Sequence, residues 1–524
     1  MKRIILENKQ KKSTKKHLIL IYTIIPFLAF FSYLYINARI SPIKLVKMVF
    51  HIPPRVKYES FKVSFSSDIP ESVQSKIIES VDDIEFENTK RFIFSSKGKY
   101  VIESDEELVD SFFSRRYVFV GHPYWIKESI TLDEIKKSKR VFIQNDDSEL
   151  DRVLISGILG SDVEVVEKDD LISFLKESEE SVGIVPLEYL SSELKLLSLN
   201  GKYFFENEEG GLSVGFKLKG KEKREFVENI LKRNMEIMYG EQLSGDSKSV
   251  LKINMSGVVA MSRGLASKMD SLKNYSYPAK YIGKFLGDAD FTHVSNEASF
   301  VPGCAVYSGV RFCSRPEYIE TLKASGVNIV ELTGNHNNDF GSQRNKESIE
   351  IYKSLGWDYF GGGLNSEDAS KILYKEKKGS TVAFVGYNYY DTMLKTMALA
   401  GENRAGANSY SISKLERDVS EAKKNADVVI VTFQFQECYS YPPTDVIFPI
   451  CYKPLANPDQ KGVFRKAVDF GADIVIGTQA HQPQTYEIYG EGIIFYGLGN
   501  LYFDQVKWIG TRQGLILSIY IENG

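Results

Sequence analysis

Asparagine, histidine and carboxylate side chains gather in this sequence where apolar runs end, and these are residue types that hold cations or move protons. The densest cluster is NIVELTGNHNNDFG, residues 328–341. An apolar run over 329–332 leads into Gly334, Asn335 and His336, with Asp339 three residues further on. An Asn oxygen suits a divalent cation, and an imidazole serves as metal ligand or general acid. A carboxylate at that spacing can orient the ring and raise its basicity. Asn and Asp also favour helix caps, so an ordinary loop is the competing explanation. DFGADIVIGTQAHQPQTYEIY, residues 469–489, repeats the plan: the run 473–476 meets Gly477, then His481, with Glu487 beyond. Of six histidines in the chain, His336 and His481 hold equivalent places past an apolar run.

Three more segments contribute. DVVIVTFQFQE carries Gln434, Gln436 and Glu437 just past the run 428–432. GDADFTHVSNEASF, residues 287–300, sets Asp288, Asp290, Asn296 and Glu297 around FTHVS. His293 lies inside that alternating run, where packing or a local hydrogen bond is its expected role. YGLGNLYFDQ supplies Asn500 and Asp504.

These side chains need strands to hold them. From 251 onward, LKINMSGVVAM opens an α/β pattern that closes with IIFYGLGNLYF and GLILSIYIE. An α/β sheet presents its site at strand ends, which is where the polar residues collect. The preceding stretch, 60–240, also alternates. KVSFSS, RFIFSS, YVFVGHPYW, RVFIQND, DVEVVE and VGIVPLEYL read as strands, with LDEIKKSK, ELDRVLISGIL and DDLISFLKE as helices between them. Such alternation implies a second α/β domain with a largely parallel sheet. The polar GEQLSGDSKSV reads as the linker, about 241–250.

The chain has 524 residues, 43% hydrophobic and 26% charged, which excludes disorder and collagen-like repeats and leaves room for two or three cored domains. Residues 1–17 form a basic tail, with seven Lys and Arg against Glu7 alone. A net charge of -3 therefore divides into a tail of +6 and a body of -9, unlike a dedicated nucleic-acid binder. Residues 18–36, LILIYTIIPFLAFFSYLYI, carry no charge. As a helix they would span roughly 28 Å, close to a bilayer core. The run is long for a signal peptide and lacks an A-x-A-like cleavage site, so an uncleaved single-pass anchor is expected. The basic flank puts the N-terminus in the cytoplasm and the bulk outside, with 37–59 as a stalk. The four cysteines, Cys304, Cys313, Cys438 and Cys451, allow three pairings, and an exported body favours disulfides over free thiols or a metal site.

Over about 251–506, segment order and wording resemble the CapA family of capsule and poly-γ-glutamate synthesis proteins. The carriers are MSGVVAMSRG, VSNEASF, LTGNHNNDFG and GADIVIGTQAHQPQTYEIYGEGIIFYGLGNLYFD. The resemblance implies a calcineurin-like, metallophosphatase-type αββα sandwich at the membrane surface, acting on a glutamate or other envelope polymer with capsule-assembly partners. It implies Glu297, Asn335 and His481 as ligands of one divalent ion (Mn, Fe or Zn), if any is bound. It makes His336 the acid, with Asp339 beside it; from the residues themselves, Glu437 is expected to assist, and Asn296, Gln434, Gln479 and Asn500 are expected to contact substrate. Three positions depart from the family pattern: Val258 stands for an Asp ligand, and Gln434 and Gln479 each stand for a His. A two-metal site is thereby short of charge and nitrogen donors. Two readings follow, a binding or assembly protein with a degraded pocket, and an active hydrolase or transferase. Residues 60–240 more faintly resemble periplasmic substrate-binding proteins, through 117–125, ITLDEIKKSKR and VGIVP before LLSLNGK.

Overall fold

The structure is a computed structural model and describes residues 59–522 apart from short stretches, the longest being 79–89, 145–154, 240–249 and 437–452. The basic tail, the apolar segment 18–36, nearly all of the stalk, Glu437, Cys438 and Cys451 lie outside the described residues. Among those described, no helix is long and apolar enough to cross a membrane.

The described residues divide into two compact units: those up to 104 with 217–234, and those within 105–216 with those from 235 onward. In the first, Glu59–Phe65 pairs parallel with both Lys90–Phe94 and Tyr100–Ser104. Phe61 of that strand packs on Phe226, with ring centroids 5.5 Å apart.

In the second unit, Ser111–Gly121 pairs antiparallel with Ser181–Pro186 and Lys195–Leu199. Arg140–Gln144 pairs parallel with Ser181–Pro186 and Glu164–Val166. The sheet here is mixed, not largely parallel as the alternation suggested. Periodicity reports which face is buried and carries no information on strand direction. Two of the expected helices form, at Leu132–Lys137 and Lys168–Glu177, while the third, over 149–159, lies almost wholly outside the described residues.

Residues 251–522 make two six-stranded sheets and a small two-stranded one, Gly362–Gly363 with Gly406–Ala407. The strands and helices in chain order are β1 (Leu251–Val259), α1 (Arg263–Leu272), β2 (Phe291–Asn296), α2 (Ile319–Ala324), β3 (Ile329–Glu331), α3 (Ser342–Ser354) and β4 (Asp358–Phe360). Then come β5 (Leu373–Lys377), β6 (Ser380–Asn388), α4 (Ile412–Asn425), β7 (Val428–Gln434), α5 (Gln460–Asp469) and β8 (Ile474–Thr478). The chain closes with β9 (Tyr486–Tyr489), β10 (Gly492–Phe495), β11 (Asn500–Tyr502) and β12 (Ile516–Ile521). One sheet runs β4-β3-β2-β1-β11, with β12 antiparallel on β1. The other runs β5-β6-β7-β8-β10-β9, its four middle strands parallel.

Strands buried on both faces read as continuous apolar runs, which is why VVIVTF and IVIG carry so few polar residues. Their two faces feed different layers. Ile253, Phe291 and Ile329 from one sheet meet Phe384, Ile430 and Ile476 from the other in a shared apolar layer. Val294 and Val330 turn outward under Met269, Leu322 and Ile349 of α1, α2 and α3. Val429 and Val475 turn outward under Leu415, Val419 and Phe464 of α4 and α5. The result is helices outside two face-to-face sheets, with both sets of parallel strands ending along one edge.

Candidate functional site

That edge brings together loops distant in sequence. Glu297 follows β2, Asn335 and His336 follow β3, Gln434 ends β7, and Gln479 and His481 follow β8. The loops after β2 and β3 approach so closely that a Cβ on Gly334 would fall 2.4 Å from the Glu297 Cβ. Only glycine fits there.

At the centre is a carboxamide. Gln434 Nε2 donates to Asn335 Oδ1 at 3.1 Å, to Gln479 Oε1, and more loosely to Glu297 Oε2 at 3.5 Å. Gln434 Oε1 in turn accepts from Thr478 Oγ1 at 2.9 Å, which orients the amide. Glu297, Gln434 and Gln479 are fully buried. Three oxygens thus converge on an N–H₂ group, the arrangement they would present to a small cation.

Beside this knot stand two histidines. His336 Nδ1 lies 2.6 Å from Asp339 Oδ2, and both side chains keep 16–19% exposure. Asp339 Oδ2 also accepts the Phe312 backbone N–H at 2.7 Å, so the carboxylate is held while it holds the ring. His481 Nδ1 is 2.9 Å from Asn500 Oδ1, and Asn500 Nδ2 donates to the His481 carbonyl at 3.0 Å. Burial pushes the His481 imidazole down to about 4 despite the Asn500 bond, and the charges of His336 and Arg263 push the same way. The imidazole is neutral at pH 7 and serves as a hydrogen-bonding group. Both rings rest on one aromatic shelf, His336 on Phe312 at 4.2 Å and His481 on Phe503 at 5.3 Å, with the two phenyl rings 5.5 Å apart.

Most sequence candidates meet here: Glu297, Asn335, His336, Asp339, Gln434, Gln479, His481 and Asn500. Asn296 does not. Its side chain turns to the outer face, where Nδ2 donates to the Tyr352 hydroxyl at 2.7 Å and the Ala298 carbonyl at 2.9 Å. Successive strand residues point to opposite faces, so Asn296 and Glu297 cannot both face the site. Asp288 and Asp290 lie at the other end of β2, where Asp290 takes the Lys252 N–H and the ammonium of Lys378. Glu487 is bound by Arg465 and Lys461, which hold its carboxyl down at about 2 although burial opposes them. His293 pairs with Glu331 at 3.1 Å, both fully buried between the sheets, as the alternation suggested.

Sequence reading missed Arg263, Phe312, Phe503 and Asp391. Burial raises the Asp391 carboxyl above its ordinary value while Thr396 and Asn388 hydrogen bonds lower it, and the charges of His336 and Asp339 also reach it. No spacing rule announces these residues, because each reaches the site across a fold.

A two-metal centre does not fit this donor set. Glu297 is the one carboxylate in the knot, and the point where its oxygens converge holds an amide donor. Among the described residues, no three His, Cys, Asp or Glu side chains converge as a metal cage.

The fold and edge define an α/β two-sheet sandwich with a cluster of polar side chains at its strand ends. Residues 252–505 match the family described as bacterial capsule synthesis protein PGA_cap, and this stretch is a domain of that family. The capsule biosynthesis protein CapA of Bacillus anthracis is 30% identical over 220 residues, covering 41% of this chain and 49% of that protein. The PGA biosynthesis protein CapA of Bacillus subtilis (strain 168) is 30% identical over 207 residues, covering 39% and 50%. The chain therefore spans about half the length of the curated relatives it matches. Among solved structures, a hypothetical protein from Thermus thermophilus aligns with 14% identity over 48% of this chain and 76% of its own, at a TM-score of 0.30. An ABC-type phosphate transport receptor from Vibrio cholerae aligns over 35% of this chain and 100% of its own, with 9% identity and a TM-score of 0.26. Scores this low carry no argument.

Proposed function

We propose that this chain serves the synthesis, export or anchoring of a capsule or poly-γ-glutamate-type envelope polymer. Segment 18–36 anchors it in the cell membrane, with the N-terminus cytoplasmic and the bulk extracellular. Its pocket is a degraded relative of a metallophosphatase site that binds polymer, or the assembly proteins that handle it, and needs no nucleic acid. The names of the CapA relatives support the polymer class, and the uncharged run behind a basic tail supports the anchor.

One observation carries the binding reading: the Gln434 amide stands where Glu297, Asn335 and Gln479 oxygens converge. Neutral carboxamides bind hard cations weakly beside carboxylates, and the N–H₂ donor at the centre has two hydrogens to give the Asn335 and Gln479 oxygens without an ion. The His336–Asp339 pair favours a second reading, an active hydrolase or transferase on a phosphoester or envelope polymer, with His336 as acid/base. A divalent ion (Mn, Fe or Zn) on Glu297, Asn335 and His481 enters that reading only if Gln434 leaves the three oxygens.

Deleting the gene and analysing the envelope polymer tests both. Loss of polymer from the surface, restored by the intact gene, is expected; an unchanged envelope overturns the polymer role. Restoration by His336→Ala as well as by the intact gene supports binding, and failure of that variant alone supports catalysis.

A further inference from the structure

The site holds one more charged side chain, Arg263, at the start of α1. Its φ is 48°, in the left-handed region, and Gln479 and His481 share that region at 81° and 56°. Long side chains rarely adopt this backbone, and residues held in it cluster at functional sites. Three of the eight such non-glycine residues among the described ones gather at this edge.

The guanidinium lies over the same aromatic shelf that carries both imidazoles, 4.7 Å from the Phe312 ring and 5.0 Å from Phe503. Its Nε and Nη2 both reach Asp504 Oδ1, at 2.8 and 2.6 Å, while Asp504 Oδ2 accepts the Gly264 N–H at 2.7 Å. That pairing uses the side-on edge of a five-donor fork. The end-on edge, Nη1 with the outer Nη2 hydrogen, lies outside the pair, and the side chain keeps 26% exposure. Next to Phe312, Arg311 donates to the Asp339 carbonyl and stacks 4.7 Å from the Phe340 ring. The Cys304–Cys313 disulfide ties down the stretch that carries both residues.

We propose that Arg263 binds a carboxylate of the ligand through its end-on edge, with Arg311 meeting a neighbouring anionic group along the same polymer. This rests on the polymer reading above and names the group that the pocket recognises. A planar fork matches a planar carboxylate in two parallel hydrogen bonds, and stacking on two rings holds the fork ready. The carboxylates near it are engaged: Asp504 by Arg263 itself, Asp339 by His336 and the Phe312 N–H, Glu297 by the Gln434 amide. Their presence still opposes a dianion more than a monoanion, which favours carboxylate over phosphate.

The test is calorimetric binding to the full chain of a short γ-linked glutamate oligomer, its α-carboxamide counterpart and inorganic phosphate. The wild type binds the oligomer, and the carboxamide at least tenfold more weakly. Arg263→Gln loses roughly ten- to a hundredfold for the oligomer and no longer distinguishes it from the carboxamide, the size expected of a charge-assisted pair. Arg263→Lys, which keeps a charge for Asp504, loses the fork and falls between; it carries the test if the Gln variant does not fold. A side chain that merely ties α1 to Asp504 would change stability and leave the carboxylate preference intact, and that result overturns the proposal while the polymer reading stands. Tighter binding of phosphate than of oligomer overturns the carboxylate assignment. No binding of the oligomer by the wild type overturns both readings.

Discussion

Truncating Gln434 to Ala removes the donor on which three side chains converge. It breaks hydrogen bonds to Asn335 and Gln479, the bond accepted from Thr478, and the longer contact to the buried Glu297 carboxylate. At about 1 kcal/mol for each neutral bond, plus a similar amount for the long carboxylate contact, Gln434→Ala destabilises the protein by about 3–4 kcal/mol. Part of the cost arises because the Glu297 carboxyl stays buried after this donor is gone. The vacated space leaves Glu297, Asn335 and Gln479 oxygens facing one another, a weak but real site for a hard cation. Denaturant unfolding of the EDTA-treated full chain, with and without Mn²⁺, reads both effects. The variant loses stability and recovers part of it as Mn²⁺ is added, whereas the wild type does not respond. A ligand at a hundred times its dissociation constant stabilises by about 2.7 kcal/mol, so the recovery is measurable. Two outcomes refute the reasoning: a variant within about 0.5 kcal/mol of wild type, the range of inert surface changes, or a wild type that gains as much from Mn²⁺ as the variant.

His481 makes stability pH-dependent. Its folded pKa of about 4 lies below the ordinary 6.5, so between those values the unfolded chain binds the extra proton and stability falls as pH drops. The loss sums to about 3 kcal/mol between pH 7 and pH 4, and urea titrations of His481→Gln should lack that portion; an unchanged slope rejects the buried neutral imidazole. The His293–Glu331 pair lies fully buried between the sheets. Glu331→Leu alone should cost about 1–3 kcal/mol by leaving the His293 ring nitrogen buried without its hydrogen-bond partner, and adding His293→Phe should return a good part of it; additive losses in a double-mutant cycle would show that the pair is not coupled.

Much of this layout was readable from side-chain order alone. The apolar runs before GNH and before Gln479 are strands because a chain buried on both faces has no room for polar residues, and the polar residues that follow mark where burial ends. That local logic located Asn335, His336, Gln434 and His481. It failed for Asn296, because neighbouring strand residues face opposite sides and residue type does not say which side meets the site. It also missed the direction of Ser111–Gly121, which runs against its neighbours.

The sequence by itself determined which segments are strands, where each one ends, and which family the 252–505 stretch belongs to, because these depend on local apolar pattern and on the order of residues. Tertiary structure alone decided what the strand ends do together. Arg263 comes to lie over Phe312 and Phe503, and Gln434 comes to lie between Glu297, Asn335 and Gln479. Hydrogen bonds and ring contacts act over a few ångströms, and only strand pairing within each sheet and the packing of one sheet against the other bring residues far apart in sequence within that range.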